Sequence, residues 1–194
     1  MGVVTDEYRD ERCRHIMAAA KRCFVRNGFH ATSVQQILEE AQISAGGLYR
    51  YFRSKDEIVL AVAGEALDRL KSSITETFDP ADPLPLPELL EHALATMERI
   101  DEADQVALIA VQVWATATYT PELATAVSEL IDTVSGMLAG IVASYQRTGA
   151  LPAGTPPEEI AKVLVTLLPG FVLQRTILGA RASDFTPGLA ALFA

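Results

Sequence analysis

Residues Thr32–Glu57 read TSVQQILEEAQISAGGLYRYFRSKDE. Val34, Ile37, Leu38 and Ala41 fall at i, i+3, i+4 and i+7, one face of a helix. Thr32, with Gln35 three residues on, has the spacing of an N-cap and its reciprocal partner. Ile43 interrupts the pattern and Ser44 offers a second cap. The helix it opens holds little more than Ala45 to Phe52, with Leu48 and Phe52 as an apolar i, i+4 pair. Ser54 is a third cap, with Glu57 at capping-box spacing. Two helices this short bury little alone. Joined by a tight turn they predict a helix-turn-helix, whose second helix enters a DNA major groove.

Outward from this stretch, Ile16, Ala19, Ala20, Phe24, Gly28 and Phe29 extend the pattern through a preceding helix and its exit. Together with Thr32, Val34, Ile37, Ala41, Ile43, Ser44, Gly46, Leu48, Tyr49, Tyr51, Phe52, Ser54 and Lys55, they resemble the signature of the tetracycline-repressor (TetR) family of bacterial transcription regulators. The resemblance covers roughly the first quarter of the chain. Gln42 stands where that family usually has a turn glycine; Ala45, Gly47 and Arg53 also depart from its common residues. The resemblance implies a DNA-contact set of Thr32, Ser33, Gln35, Ser44, Ala45, Gly46, Tyr49, Arg50, Tyr51 and Lys55. Within it, Arg50 is the expected reader of guanine N7 and O6. Tyr49 and Lys55 are expected on phosphates. Gly46 and Gly47 each cost a helix about 1 kcal/mol relative to alanine; their small size is expected to let the backbone approach DNA. Glu39 and Glu40 read as a solvated face.

The formal charge of the 194 residues is −9. Through Arg53 eight bases meet six acids, so this end carries +2 and the remainder −11. That asymmetry suits a DNA-facing head on an acidic body. Arg9, Arg12 and Arg14, near the start of the first helix, are candidates for phosphate contact. Apolar residues make up 49% and charged residues 21%, a globular composition. Met1 to Thr5 reads as a disordered arm. No signal peptide or uninterrupted apolar run of membrane-spanning length is evident. Cys13 and Cys23, on one predicted helix, cannot bridge, and the expected location is the cytoplasm. Cys13 with His15 lacks further ligands at zinc spacing, and His30 and His92 are isolated. The glycine runs match no phosphate-binding fingerprint. Neither a metal, a cofactor nor catalysis is expected.

Beyond the head, a long helix from Ser54 to about Phe78 has the inner stripe Val59, Ala63, Ala66, Leu67, Leu70 and Ile74. A proline-rich linker, Asp79–Pro87, ends it. The fifth helix (Pro87–Ile100) precedes a sixth (Asp104–Thr118) that is apolar nearly all round and so belongs mid-bundle. Thr120-Pro121 opens a seventh, closed by Gly149. Thr155-Pro156-Pro157-Glu158 reads as a capping box for an eighth, kinked at Pro169-Gly170. Ser183–Ala194 is the last segment. The expected fold is all-α: a three-helix DNA-binding head (1–53) joined by the long helix to a ligand-binding and dimerisation body (54–194). Met97, Trp114, Thr118, Met137, Phe171 and Arg175 are candidates for lining a small-molecule pocket. Surplus apolar residues Leu164, Leu168, Phe171, Leu189 and Phe193 are candidates for a homodimer interface. The expected function is a regulator, a repressor released from a palindromic operator by an apolar or aromatic effector. The competing expectation is a helical enzyme or carrier of an apolar molecule whose head serves protein contact alone.

Overall fold

A computed structural model describes residues 6–192. Among these the chain forms ten α-helices and one 3₁₀ turn, with no strand. The head is α1 (Asp6–Asn27), α2 (Val34–Ala41) and α3 (Ala45–Tyr49). Then come α4 (Lys55–Thr77), α5 (Leu86–Asp104), α6 (Val106–Ala117), α7 (Pro121–Arg147), α8 (Pro157–Val165) and α9 (Leu167–Leu178). A 3₁₀ turn (Ala182–Asp184) and α10 (Thr186–Leu192) follow. The all-α expectation holds. The expected arm Met1–Thr5 and the interface candidate Phe193 lie outside the described residues.

The head encloses Ile16, Phe24, Phe29, Ile37, Leu48 and Ile58, each at most 2% exposed. Phe24 and Phe29 meet edge-on with ring centroids 5.3 Å apart. α1 stops because Gly28 takes a left-handed conformation (φ +84°), which glycine adopts without steric cost. One cap differs from expectation. Ser33, not Thr32, caps α2, in a reciprocal box with Gln36. Thr32 is buried, its hydroxyl donating to the carbonyls of Gly28 (2.7 Å) and Cys23 (3.1 Å). It closes the end of α1 and is unavailable to open α2. Ser44 and Ser54 do cap α3 and α4 as expected.

α4 leaves the head and runs into the body. The proline-rich linker after it is pinned by Tyr145 of α7, whose hydroxyl donates to the Leu84 carbonyl at 2.6 Å. Burial pushes that phenol up to about 12. Thr120 stands at the N-cap of α7 with Pro121 next, as expected, though its side chain makes no cap bond; the capping box expected at Thr155 does not form, and Pro156 precedes the start of α8 at Pro157. The expected single eighth helix is two. It breaks at Thr166, three residues ahead of Pro169. Proline has no N–H for the Val165 carbonyl and its ring crowds that turn. The Thr166 carbonyl accepts from Gly170 N–H at 3.2 Å. The Thr166 hydroxyl turns back to the Val163 carbonyl at 2.6 Å.

Candidate nucleic-acid interface and body cavity

Ser33, Gln35, Ser44, Ala45, Gly46, Tyr49 and Arg50 are exposed on one region of the head, and Tyr51 and Lys55 are half-buried beside them. α3 is only five residues long, because Tyr51 and Phe52 both donate their N–H to the Leu48 carbonyl. Arg50 therefore sits at the C-terminal end of the recognition helix. The two glycines differ. A Cβ on Gly46 would meet nothing, so its openness serves an outside partner. A Cβ on Gly47 would come within 3.3 Å of Ser44 Oγ, which is the cap of its own helix.

Thr32 and Lys55 are turned inward relative to expectation. Thr32 has its hydroxyl committed to α1. Lys55 Nζ donates to the carbonyls of Phe29 (2.7 Å), Thr32 (2.8 Å) and His30 (3.2 Å) and lies 4.6 Å from the Phe29 ring centroid. Its three N–H groups are thus directed at protein acceptors, and burial lowers its pKa. Glu40 is not a merely solvated residue: Arg22 Nε and Arg26 Nη bind its carboxylate at 2.7 and 3.2 Å, tying α2 to α1. Those hydrogen bonds hold the Glu40 carboxyl below its ordinary value.

Between α1 and α3 lies an open cleft of about 440 Å³. Tyr8, Arg12, His15, Gln42, Ser44, Gly46, Gly47, Arg50 and Tyr51 line most of it, and among the described residues no carboxylate does. Arg12 Nε donates to the Tyr8 hydroxyl at 3.0 Å, with the guanidinium 5.2 Å from that ring's centroid. The hydroxyl bond raises the Arg12 pKa further.

The body holds an apolar cavity of about 150 Å³. Its walls are Val59, Val62, Ala63, Ala66 and Leu67 of α4, Met97 of α5 and much of α6, including Ala110, Val113 and Trp114. Val127, Leu130, Ile131 and Val134 of α7 face Val165, Leu168, Pro169 and Val172 across the helix break. Of the six pocket candidates, Met97 and Trp114 line this space. Thr118 is exposed, its hydroxyl bonded to the Ala115 carbonyl. Met137 packs on the core away from the cavity. Phe171 is buried edge-on against Phe185, centroids 5.5 Å apart. Arg175 is held by Asp101 (2.5 Å), Glu98 (3.2 Å) and Glu102 (3.8 Å) of α5. A charged side chain of low exposure is satisfied by these acids and not by a ligand.

The interface candidates also turn inward. Leu164, Phe171 and Leu189 are buried core, and Leu168 lines the cavity. The exposed apolar side chains of this face are Val163, Leu173, Ile177 and Leu178.

Head and body are joined by contacts that sequence reasoning missed. Gln112 Oε1 of α6 accepts the Phe29 N–H. Lys21 of α1 binds Asp104 at 3.0 Å and Glu65 at 3.6 Å, and Arg69 of α4 binds Asp104 at 2.6 Å. The available signal was Gln112 itself, a lone polar residue in the run VALIAVQVWA.

The fold and site are those of a helix-turn-helix regulator with a hollow helical body. Residues 16–62 match the family described as bacterial regulatory proteins, tetR family. Residues 86–191 match the BetI-type transcriptional repressor C-terminal domain. The chain belongs to the TetR family of transcriptional regulators. It is 40% identical over 65 residues to the uncharacterized HTH-type transcriptional regulator YfiR of Bacillus subtilis, covering 34% of this chain and 32% of that protein. The chain spans about a third of the length of the first curated relatives it matches. Among solved structures it is similar to Salmonella enterica GusR (TM-score 0.79, 24% identity, 98% of this chain and 96% of that one). It is also similar to FadR of Bacillus subtilis, solved in complex with stearoyl-CoA (TM-score 0.74, 18% identity, 93% and 96%). At those identities the structures show the shared fold.

Proposed function

We infer that this protein is a cytoplasmic, homodimeric repressor that binds a palindromic operator and releases it when a small apolar or aromatic effector fills the body cavity. We divide it into a DNA-binding head, residues 1–53, and a body, residues 54–194. The observation that carries the reading is the cavity wall. Its lining side chains are all aliphatic or aromatic apart from the Met97 thioether, and it is built in part from α4, the helix whose first turn is tied to the head through Lys55. A cavity of this size and lining accepts a single ring or short hydrocarbon and offers no partner to a charge. A ligand that wedges α4 away from α6 and α7 shifts the population of head spacings. The DNA side rests on Ser33, Gln35, Ser44, Ala45, Gly46, Tyr49, Arg50 and Tyr51.

The test begins by selecting duplexes from a random library, then screening neutral aromatic and aliphatic compounds for operator release and for a change in Trp114 fluorescence. Ala110→Leu puts three more carbons into the cavity. It is expected to keep operator affinity within about threefold, by analogy with tolerated core repacking, and to abolish the response to a compound that releases the unmutated protein. A variant that still responds fully would place the effector elsewhere. Selection of no sequence at all would remove the operator reading.

A further inference from the structure

The cleft between α1 and the end of the recognition helix sets Tyr8, Arg12 and Gln42, which the helix-turn-helix reading does not use, beside Ser44, Gly46, Arg50 and Tyr51, which it does. Two arginines, Arg12 of α1 and Arg50 at the end of α3, line it, together with Tyr8, Tyr51, Ser44 and Gln42. The hydrogen-bonding capacity of this set is biased one way. Arg12 spends only Nε on Tyr8, which leaves its terminal nitrogens as a fork for a planar or tetrahedral oxyanion. The Tyr8 oxygen accepts that bond, so its own proton is left for a further acceptor. Ser44 Oγ likewise accepts from Gly47 N–H and keeps its proton to donate. His15 Nε2 donates to the Ala41 carbonyl at 2.8 Å and holds the cleft wall to the end of α2. Glu11 neighbours Arg12 in sequence but does not line the cleft. An open recess with several donors, two arginines and, among the described residues, no carboxylate is chemically suited to an oxyanion.

The position of Arg50 points the same way. Recognition helices read bases mainly through their N-terminal residues. Here those are Ala45 and Gly46 after the Ser44 cap, while Arg50 stands at the opposite end of a five-residue helix, beside α1.

We propose that this cleft is a phosphodiester seat, in which Arg12 from α1 and Arg50 from α3 converge on one backbone phosphate of the operator, with Tyr8 orienting Arg12. Arg50 then sets affinity and register, and sequence is read at the other end of the helix. The inference rests on the operator-binding reading above and replaces the expectation that Arg50 reads guanine.

The experiment measures binding of the unmutated protein, Arg12→Gln, Arg50→Gln and Tyr8→Phe to the selected operator and to scrambled duplexes over a range of salt. Melting temperature checks that each variant is folded. Arg12 and Arg50 are exposed, so their loss leaves the core intact. Each arginine variant is expected to bind operator and scrambled duplex about tenfold more weakly. The slope of log affinity against log salt should flatten by about one unit. Base preference should not change. Tyr8→Phe gives a smaller uniform loss. Methylphosphonate substitution, phosphate by phosphate, then identifies the contact: at one position the neutral linkage makes both arginine substitutions silent. The proposal is overturned if Arg50→Gln relaxes preference at one base pair, or if no single phosphate couples to both arginines. If the unmutated protein binds no duplex, the operator reading falls and the seat with it. A sequence-selective protein whose Arg12→Gln and Arg50→Gln slopes are unchanged overturns the seat alone.

Discussion

Gln42 adopts φ +54° and ψ +45°, the left-handed region that L-residues other than asparagine and aspartate rarely enter. It sits at the turn between α2 and α3, where the family commonly has glycine. The turn is enforced by its surroundings: Gln42 N–H bonds to Glu39 and Leu38 carbonyls, and Ile43 N–H reaches Leu38 at 3.1 Å. Strain of this kind costs about 1–2 kcal/mol, part of which glycine returns as extra freedom in the unfolded chain. Gln42→Gly is expected to raise stability by roughly 0.5–1 kcal/mol, read as a shift in the urea midpoint without a change in slope. A lower midpoint would mean that the side chain compensates for its backbone. Lys55 makes the opposite point. Its ammonium satisfies three carbonyls at the turn after α1, while the stem covers Phe29. Lys55→Met keeps the stem and strands the carbonyls. It should cost about 1–3 kcal/mol of stability and flatten the salt slope for DNA by less than one unit, the amount expected for a lost phosphate contact. A full-unit change at unaltered stability would return Lys55 to the phosphates.

Asp104, at the end of α5, holds α1 through Lys21 and α4 through Arg69. Burial alone would raise its pKa, but the hydrogen bonds and charges of Lys21 and Arg69 outweigh that and lower it. A carboxyl with a depressed folded-state pKa contributes stability that is present above its unfolded value, 3.8, and lost as pH falls through the lower folded value. Asp104→Asn should therefore lower the urea midpoint at pH 6, and its deficit should shrink below about pH 3.8 as the unmutated protein loses the same interaction. A deficit that stays constant to pH 2.5 would assign the loss to packing. These inter-helix ties mark the limit of what the sequence alone made legible. The head could be read almost to the residue because its order is local: period, caps and a tight turn lie within 26 residues. Its errors, Thr32 and Lys55, arose where a polar side chain turned back to carbonyls at the end of α1 and in the turn after it. The body's helices were visible from periodicity, but which face of α8 and α9 looked inward was not. An apolar residue such as Phe171 or Leu189 reads the same whether it meets its own core or a partner. Arg175 was misplaced for a related reason, because Glu98, Asp101 and Glu102 lie more than seventy residues upstream of it.

At the scale of the whole molecule, α7 and the α8–α9 pair are apolar enough and long enough to cross a membrane, yet only 22% of the most apolar stretch of each is buried within the chain. Val163 (64% exposed), Leu173 (44%), Ile177 (66%) and Leu178 (73%) present aliphatic carbon to water. Such a face on a globular protein marks an interaction site. Its backbone is also accessible, since a Cβ added at Gly170 would meet nothing. The expected arrangement is two copies related by a two-fold axis that cover these residues with one another, helix pair against helix pair, in an interface of the hydrophobic obligate class. The same two-fold would set the two heads on matching half-sites, which is why a palindromic operator and a dimer are one expectation. Sedimentation at micromolar concentration should give twice the 20.9 kDa chain mass. Ile177→Glu places a charge within this face, where an unpaired buried carboxylate costs several kcal/mol. It should yield a folded particle of single-chain mass that binds a full palindrome no more tightly than an isolated half-site. Should Ile177→Glu remain a dimer with full palindrome affinity, the subunits meet through another face and α8–α9 has a different partner.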